Sequence, residues 1–436
     1  MALMPNASGT AASARPTGST TGILILVFAV FFLLGGVTNI NDVLIPKLKG
    51  LFQLSHFQAN LVQFAFFTSY ALFSIPAGKL MSKLGYIRGF VAGFAIISLA
   101  SLLFIPAASS GIYASFLVAL FMIGGGITVL QVAMNPVVTT LGPVETSHSR
   151  LTFAQLFNSI GVFLMVRGGA EILLGDSKSI DAAAATSAQL EAFRIAEGSV
   201  IGKAYLGLAI VMALIALFFW FWRSALDRAE AEEVRVEGTF GLLRHNARVR
   251  FGAICIFTYV GAEVAIGSNM IAYLQTPDVM ALSALDAGRL LAYYWGGAMV
   301  GRLVGGFVLR MFRPGRVLTT YACGAIALIL LSAVSTGAVS GWALICVGFC
   351  NSLMFPTIFS LGTEGLKEEA PQASGIMCTA IVGGALVPPL FGLVTDLAGD
   401  IRVALLVPLL CYAIVACFGL WACRQGAVAK AKQCAA

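Results

Sequence analysis

The chain has 436 residues, of which 59% are hydrophobic and only 11% charged, and its mean hydropathy is +0.91. Soluble proteins carry about a quarter charged residues, so this composition excludes a water-soluble domain and indicates a polytopic membrane protein. In a membrane protein, a net charge of +7 reflects the basic residues that set the orientation of the chain, so no nucleic-acid partner is expected.

The positions of the histidines and cysteines argue against most redox and metal-binding functions. The three histidines fall between apolar runs, and the nine cysteines all lie from Cys255 onward without a CxxC pair. These patterns favour neither haem, nor zinc, nor a disulfide framework. No nucleophile with a base stands inside an apolar segment, so we expect no cofactor, no metal site and no enzyme activity.

Apolar runs divide the chain into twelve predicted spans, since a bilayer core about 30 Å thick needs roughly 20 apolar residues per helix. They cover residues 22–45, 57–78, 88–105, 112–138, 151–174, 201–221, 251–274, 288–309, 317–335, 341–361, 374–394 and 403–421. The predicted fold is all-α, with two six-helix bundles over residues 22–222 and 251–423. A cytoplasmic linker over 223–250 separates the bundles. A disordered cytoplasmic tail over 1–21 precedes them, and a cytoplasmic tail over 424–436 follows them.

Lysine and arginine positions predict the orientation of the chain. With both termini in the cytoplasm, nineteen basic residues, Arg302 among them, fall on the inner side and seven on the outer side. Arg167 is left inside a span. This distribution obeys the positive-inside rule, so we expect cytoplasmic termini and contacts with membrane lipids.

The same glycine, proline and basic motifs occur at corresponding places in both halves. Gly78 is followed ten residues later by Arg88, with basic residues between, and Gly306 and Arg316 repeat this arrangement 228 residues further on. Asn135-Pro136 and Phe355-Pro356, each followed by Leu-Gly, recur at an offset of 220 residues. Such repeats indicate a pseudo-symmetric bundle with a cavity between the halves.

Several motifs resemble one transporter family. They are Asn39-Ile-Asn41-Asp42, Gln131-Val-Ala-Met-Asn135-Pro136, Ala154-Gln155-Leu-Phe-Asn158-Ser159, Tyr259-Val-Gly-Ala-Glu263 and Phe355-Pro356 to Gly362. Together with the basic loops, they resemble the fucose/glucose/galactose cation symporters of the major facilitator superfamily. The glucose/galactose and N-acetylglucosamine members are more similar than the fucose member. The resemblance implies a monomer in a bacterial inner membrane.

Two carboxylates are predicted to couple transport to a cation. Glu263 lies near the middle of span seven among small residues, where a carboxylate can take up a proton or bind Na⁺. The alternative for Glu263 is a structural hydrogen bond. Asp42 interrupts the outer half of span one, where the alternative is an interfacial pair with Lys47 or Lys49. In the family that the chain resembles, an aspartate at this place contributes to cation-coupled sugar uptake.

Side-chain amides are the predicted sugar ligands, because they donate and accept hydrogen bonds without a charge. Gln131 and Asn135 share a face of span four, and Gln155 and Asn158 share a face of span five. Structural hydrogen bonds between helices are the alternative. The predicted substrate-binding set is Asn39, Gln131, Gln155, Asn158, Glu263, Asn269 and Asn351, and Tyr293, Tyr294 and Trp295 are further candidates for the cavity wall.

The chain departs from the fucose pattern at Gln131, where the fucose member has a protonatable glutamate. Glu263 stands where that pattern has a neutral amide, so the resemblance to the glucose/galactose pattern places coupling at Glu263. Arg167 is expected to pair with Glu171 one turn later, and the alternatives are a pair with Asp42 or a contact with the sugar.

These patterns predict a cation-coupled importer of a hexose such as glucose, galactose or N-acetylglucosamine, working by alternating access. A sugar uniporter and an exporter of amphipathic compounds remain alternatives, and H⁺ and Na⁺ are equally open.

Overall fold

The structure is a computed structural model that describes residues 20–140, 147–175, 186–226, 239–364, 366 and 370–434. These residues form helices and short turns without a β-strand. The predicted tail over 1–21 lies almost wholly outside the described residues, as does the centre of the predicted linker. The ends of that linker are helical.

The N-terminal half has eight described helices that make six crossings of the bundle, because two of the crossings are each divided into two helices. Its helices are α1 (Thr20–Asn39), α2 (Asn41–Phe52), α3 (His56–Leu84), α4 (Tyr86–Leu102), α5 (Phe104–Ser110), α6 (Tyr113–Thr140), α7 (Ser147–Leu174) and α8 (Ser187–Leu226). The first crossing consists of α1 and α2, and the third consists of α4 and α5.

The C-terminal half repeats this arrangement after a short helix. Its helices are α9 (Thr239–His245), α10 (Ala247–Gln275), α11 (Ala284–Met311), α12 (Pro314–Val334), α13 (Gly337–Asn351), α14 (Met354–Thr363), α15 (Ala370–Thr379), α16 (Gly383–Ala398) and α17 (Leu406–Cys434). One crossing joins α13 to α14. Another joins α15 to α16 through a 3₁₀ turn, Ala380–Val382.

The twelve predicted spans therefore correspond to twelve helical crossings. Among the described residues, ten helical segments are long and apolar enough to span a membrane. The other two crossings are α3 and α11, which have 29 and 28 residues and carry polar and charged side chains along their length. Polar helices of spanning length are typical of a cavity wall, since polar groups that face lipid are costly.

Glycine contacts support the predicted duplication. A Cβ on Gly161 would overlap the Phe32 carbonyl oxygen, and a Cβ on Gly383 would overlap the Phe257 carbonyl oxygen. Each contact joins the first and fifth crossings of its own half, α1 with α7 and α10 with α16. Close backbone approach at equivalent places is what a duplicated helix bundle predicts.

The helices of the bundle end on two opposite sides. We call the side on which α1 begins and α17 ends the terminus side, and the opposite side, with turns 53–55, 276–283 and 399–402, the distal side. Near the distal side, a buried ion pair between Lys47 and Glu197 joins α2 to α8. Lys47 is therefore part of the packing within the N-terminal half.

Candidate functional site

The two halves meet where α3 packs against α16, α7 against α11, and α2 against α10. Hydrogen bonds and ion pairs join the halves from the level of Ser159 and Arg302 to the distal ends of the helices. A cavity of about 800 Å³ lies on the distal side of this contact and is lined by Lys49, His56, Asn269 and Asp396, among others. The distal ends of the two halves are thus held together.

Asp42 lies at the centre of this contact and is only 2% exposed. It follows the break between α1 and α2, which turns its side chain toward α3 and α10. Its Oδ1 accepts a hydrogen bond from Gln63 Nε2 at 2.9 Å and another from Ser268 Oγ at 3.1 Å. Gln63 Nε2 also donates to Ser268 Oγ at 2.8 Å. A carboxylate of the N-terminal half is therefore bonded to a hydroxyl of the C-terminal half.

The second oxygen of Asp42 and Nε1 of Trp295 are both buried, and the indole N–H is a neighbour of the carboxylate, although neither atom meets strict hydrogen-bond geometry with a described residue. A Cβ on Gly267 would lie 3.3 Å from Asp42 Oδ2 and 3.0 Å from the Trp295 ring, so all three groups are close together. The expected alternative, an interfacial pair with Lys47 or Lys49, is not formed, because Lys47 pairs with Glu197 and Lys49 contacts His56.

Two buried asparagines bond across the halves one turn from this network. Asn60 Nδ2 donates to Asn269 Oδ1 at 2.9 Å, and Asn269 Nδ2 donates to Asn60 Oδ1 at 3.1 Å. Asn269 is a predicted sugar ligand, and here both atoms of its amide are engaged at the interface. It can contact a sugar only when the two halves separate at this point.

Glu263 lies on α10, one turn before Gly267, and its side chain is half-buried. Tyr294 on α11 donates through its hydroxyl to the backbone carbonyl of Glu263 at 2.9 Å. The electrostatic neighbours of the Glu263 carboxylate are Arg302 and Tyr259. The carboxylate thus shares its surroundings with an arginine near the middle of the bundle.

Arg302 corrects one assignment from the sequence, which counted it among the basic residues of the inner membrane surface. The structure places it inside α11, nine residues before the end of that helix at Met311. Its guanidinium donates to Ser159 Oγ on α7, so it crosses from one half to the other. Arg302 therefore belongs to the site between the halves.

The predicted amides of the N-terminal half lie on α1, α6 and α7, which pack together. The four whose side chains are described, Asn39, Gln131, Gln155 and Asn158, are half-buried. Asn39 Nδ2 donates to the Gly35 carbonyl and Asn158 Nδ2 to the Phe31 carbonyl, each at 3.1 Å. Gln131 Nε2 donates to the Tyr70 hydroxyl at 3.1 Å. The backbone and tyrosine contacts fix these amides through their nitrogens, and no described residue donates a hydrogen bond to their oxygens. Gln155 lies three residues before Asn158, on the same face of α7.

Asn351, another predicted sugar ligand, is surrounded by tyrosines in this conformation. It is 1% exposed, and its Nδ2 donates to the Tyr294 hydroxyl at 2.8 Å while its Oδ1 accepts from Tyr412 at 2.7 Å. Its backbone carbonyl accepts from Tyr259 at 3.0 Å. Asn351 therefore holds three tyrosines around Glu263 and is not a free amide in this conformation.

The remaining predicted residues differ in burial and in their partners. Tyr294 is buried, whereas Tyr293 is 49% exposed and packs beside Trp342. Glu171 pairs with Arg289 of the other half, with oxygen to nitrogen distances of 2.7 and 3.0 Å, and Arg167 is a further electrostatic neighbour of the Glu171 carboxylate. The side chain of Asn135 lies outside the described residues.

Sequence reasoning missed Asn60, Gln63, Ser268 and Arg302. A signal for the first two was present, since Asn60 and Gln63 are three residues apart and share a face of α3. Ser268 carried no comparable signal, because serine is common in membrane helices. The depth of Arg302 within the predicted span 288–309 was a signal, but its place near a basic loop favours the membrane surface.

Comparison with known proteins identifies the class. Residues 26–388 match the model of the Major Facilitator Superfamily, and the chain belongs to this superfamily of membrane transporters. It is therefore not an enzyme.

Among curated proteins, the chain is 43% identical to a glucose/galactose transporter of Brucella abortus, over 90% of this chain and 92% of that protein. It is 40% identical to a putative glucose/galactose transporter of Helicobacter pylori, over 93% and 98%. It is 36% identical to the L-fucose-proton symporter of Escherichia coli, over 90% and 91%.

Among solved structures, the transporter FucP in the outward conformation is similar with a TM-score of 0.71 and 33% identity. That match covers 93% of this chain and 99% of FucP. The predicted fold and the predicted sugar-transporter family are thus confirmed.

Proposed function

We propose that this protein imports a monosaccharide together with a cation by alternating access between its two halves. The observation that carries the proposal is the position of Asp42, a buried carboxylate that bonds across the halves and forms no ion pair with any described residue. A carboxylate without a cationic partner in a membrane is costly unless it binds a proton or a metal ion. Cation binding and the contact between the halves are then linked at one side chain.

The amides support a sugar as the cargo. Asn39, Gln131, Gln155 and Asn158 are half-buried on adjoining helices and offer uncharged oxygens to a polyhydroxylated ligand. An exporter of amphipathic compounds would favour an apolar cavity wall instead. The relatives named as glucose/galactose transporters support glucose and galactose as the first sugars to test, and the sequence resemblance adds N-acetylglucosamine.

Both Asp42 and Glu263 are assigned to cation coupling, with H⁺ and Na⁺ as the two candidate ions. Glu263 stands in the C-terminal half with Arg302 as its neighbour, whereas Asp42 lies at the interface itself. We assign Gln131, Gln155, Asn158 and Asn39 to the sugar, with Asn269 joining them when the distal ends separate. Asn351 acts by holding the tyrosines beside Glu263.

Orientation follows from charge. Nineteen basic residues fall on the terminus side in the sequence count, and removing Arg302, which the structure places within α11, still leaves eighteen against seven. The positive-inside rule then assigns the terminus side to the cytoplasm and the distal side to the outside. We propose a monomer in a bacterial inner membrane, with its basic terminus side in contact with anionic lipids.

The test is uptake of labelled glucose, galactose and N-acetylglucosamine by the purified protein in proteoliposomes. A pH gradient and a Na⁺ gradient are imposed separately. Accumulation of one sugar above equilibrium under one gradient supports symport and identifies the ion. Equilibration that ignores both gradients would make the protein a uniporter, and failure to move any of the sugars would favour the exporter.

A further inference from the structure

Asp396 of the C-terminal half contacts the start of α3 in the N-terminal half. Its Oδ1 accepts the backbone N–H of His56 at 2.9 Å, and its Oδ2 accepts the backbone N–H of Phe57 at 2.8 Å. Both carboxylate oxygens are used, and both donors lie 339 or more residues away in the chain. The contact is therefore made between the halves and not within one of them.

The donors are the ones that α3 cannot satisfy by itself. The first N–H groups of a helix have no carbonyl partner within the helix. Ser55 is the N-cap and its side chain accepts from Gln58 N, while the first bond inside the helix runs from Ala59 N to Ser55 O. His56 and Phe57 are left over, and Asp396 takes both. The capping of α3 is thus completed by the other half of the protein.

Charge adds to this geometry. The N-terminus of a helix carries a partial positive charge, and α3 is 29 residues long, so a carboxylate at its first turn is stabilised by the peptide dipoles as well as by hydrogen bonds. Lys49 Nζ lies 2.7 Å from His56 Nε2 and places a further cation near the same turn. Lys49, His56 and Asp396 all line the distal cavity, so water reaches this contact.

The helices touch at the backbone beside Asp396. Gly392 precedes Asp396 by one helical turn, and a Cβ there would lie 2.5 Å from the His56 carbonyl oxygen. Only a glycine permits α16 to approach α3 closely enough for the carboxylate to reach the two N–H groups. Separation of the distal ends moves α16 away from α3 and must break both bonds.

We propose that Asp396 is a gating residue, whose carboxylate holds the distal side closed by capping α3 and leaves that helix each time the distal side opens. The proposal rests on the proposed function, in which opening of the distal side is one step of transport. Asp396 is a positioning residue here, since it acts on the relative position of the halves and not on the sugar.

Hydrogen–deuterium exchange of the full-length protein in lipid nanodiscs reads the two donor amides directly. In Asp396→Asn, exchange of the peptide that contains the His56 and Phe57 amides should rise about threefold to tenfold, because the charge is lost and one acceptor becomes an amide nitrogen. Asp400→Asn is the matched control. Asp400 lines the same cavity, but its carboxylate accepts from its own neighbour Arg402 N at 2.8 Å.

A second variant tests whether the cap depends on the close approach of α16 to α3. Gly392→Leu should raise exchange at the same amides by pushing α16 away while Asp396 is retained. The proposal is overturned if Asp396→Asn exchanges like the parent, or if Asp400→Asn raises exchange equally. Exchange is measured without sugar or gradient, so a parent that carries no sugar in proteoliposomes would overturn the proposed function and leave this result interpretable.

Discussion

Asp42 and Ser268 are 226 residues apart and belong to different halves, and they are joined by a hydrogen bond of 3.1 Å from Ser268 Oγ to Asp42 Oδ1. Gln63 donates to both of them, so one amide, one hydroxyl and one carboxylate form a closed network across the interface. A change in the charge of Asp42 therefore acts directly on the contact between the halves.

Asp42→Asn removes the charge and keeps one oxygen as an acceptor for Gln63 and Ser268. We expect gradient-driven sugar accumulation to fall at least about tenfold, since a neutral amide cannot bind a proton or a metal ion as a carboxylate does. Thermal unfolding in detergent should change little. Asp400→Asn is the control for the loss of one negative charge, and full accumulation by Asp42→Asn would contradict the assignment.

Ser159→Ala removes the acceptor of Arg302 in the opposite half. We expect a lower maximal rate of uptake with a smaller change in KM, because the contact acts on the exchange between conformations and not on the sugar. Ser159→Thr keeps the hydroxyl and is the matched control. Equal rates for the parent and Ser159→Ala, measured from initial uptake over a range of sugar concentrations, would show that the contact has no part in transport.

Asn351→Ala should act on stability and not on sugar binding. The change leaves the buried hydroxyls of Tyr294 and Tyr412 without their partner, which costs about 2 to 4 kcal/mol in the free energy of unfolding. The melting temperature of the purified protein should fall by several degrees. If the melting temperature is unchanged and sugar binding weakens, Asn351 is a sugar ligand, as its place in the sequence had indicated.

The sequence predicted the fold well because membrane solvation leaves a strong pattern. Each crossing needs a long apolar run, and the duplication leaves the same punctuation in both halves. The polar helices α3 and α11 were predicted because their runs remained long enough, although they are less apolar than the rest. The break between α1 and α2 was indicated by the polar group from Asn39 to Asp42.

The site was predicted only in part, because pairing across the halves leaves no local pattern. Asp42 and Glu263 stood out as carboxylates in apolar runs, since burial of a charge is costly. Asn269 and Asn351 were only plausible candidates as uncharged amides in apolar runs, and their bonding to Asn60 and to tyrosines depends on helices far apart in the chain. The contact of Arg302 with Ser159 likewise follows from how α11 packs against α7.

The most direct test of the account compares the parent with Glu263→Gln in two assays on the same proteoliposomes. One assay measures sugar accumulation under the gradient that drives the parent, and the other measures exchange of labelled for unlabelled sugar without a gradient. We predict that Glu263→Gln loses accumulation and retains exchange, because the amide still offers hydrogen bonds to the sugar while the carboxylate that binds the cation is lost. Accumulation at the level of the parent would contradict the assignment of cation coupling to Glu263.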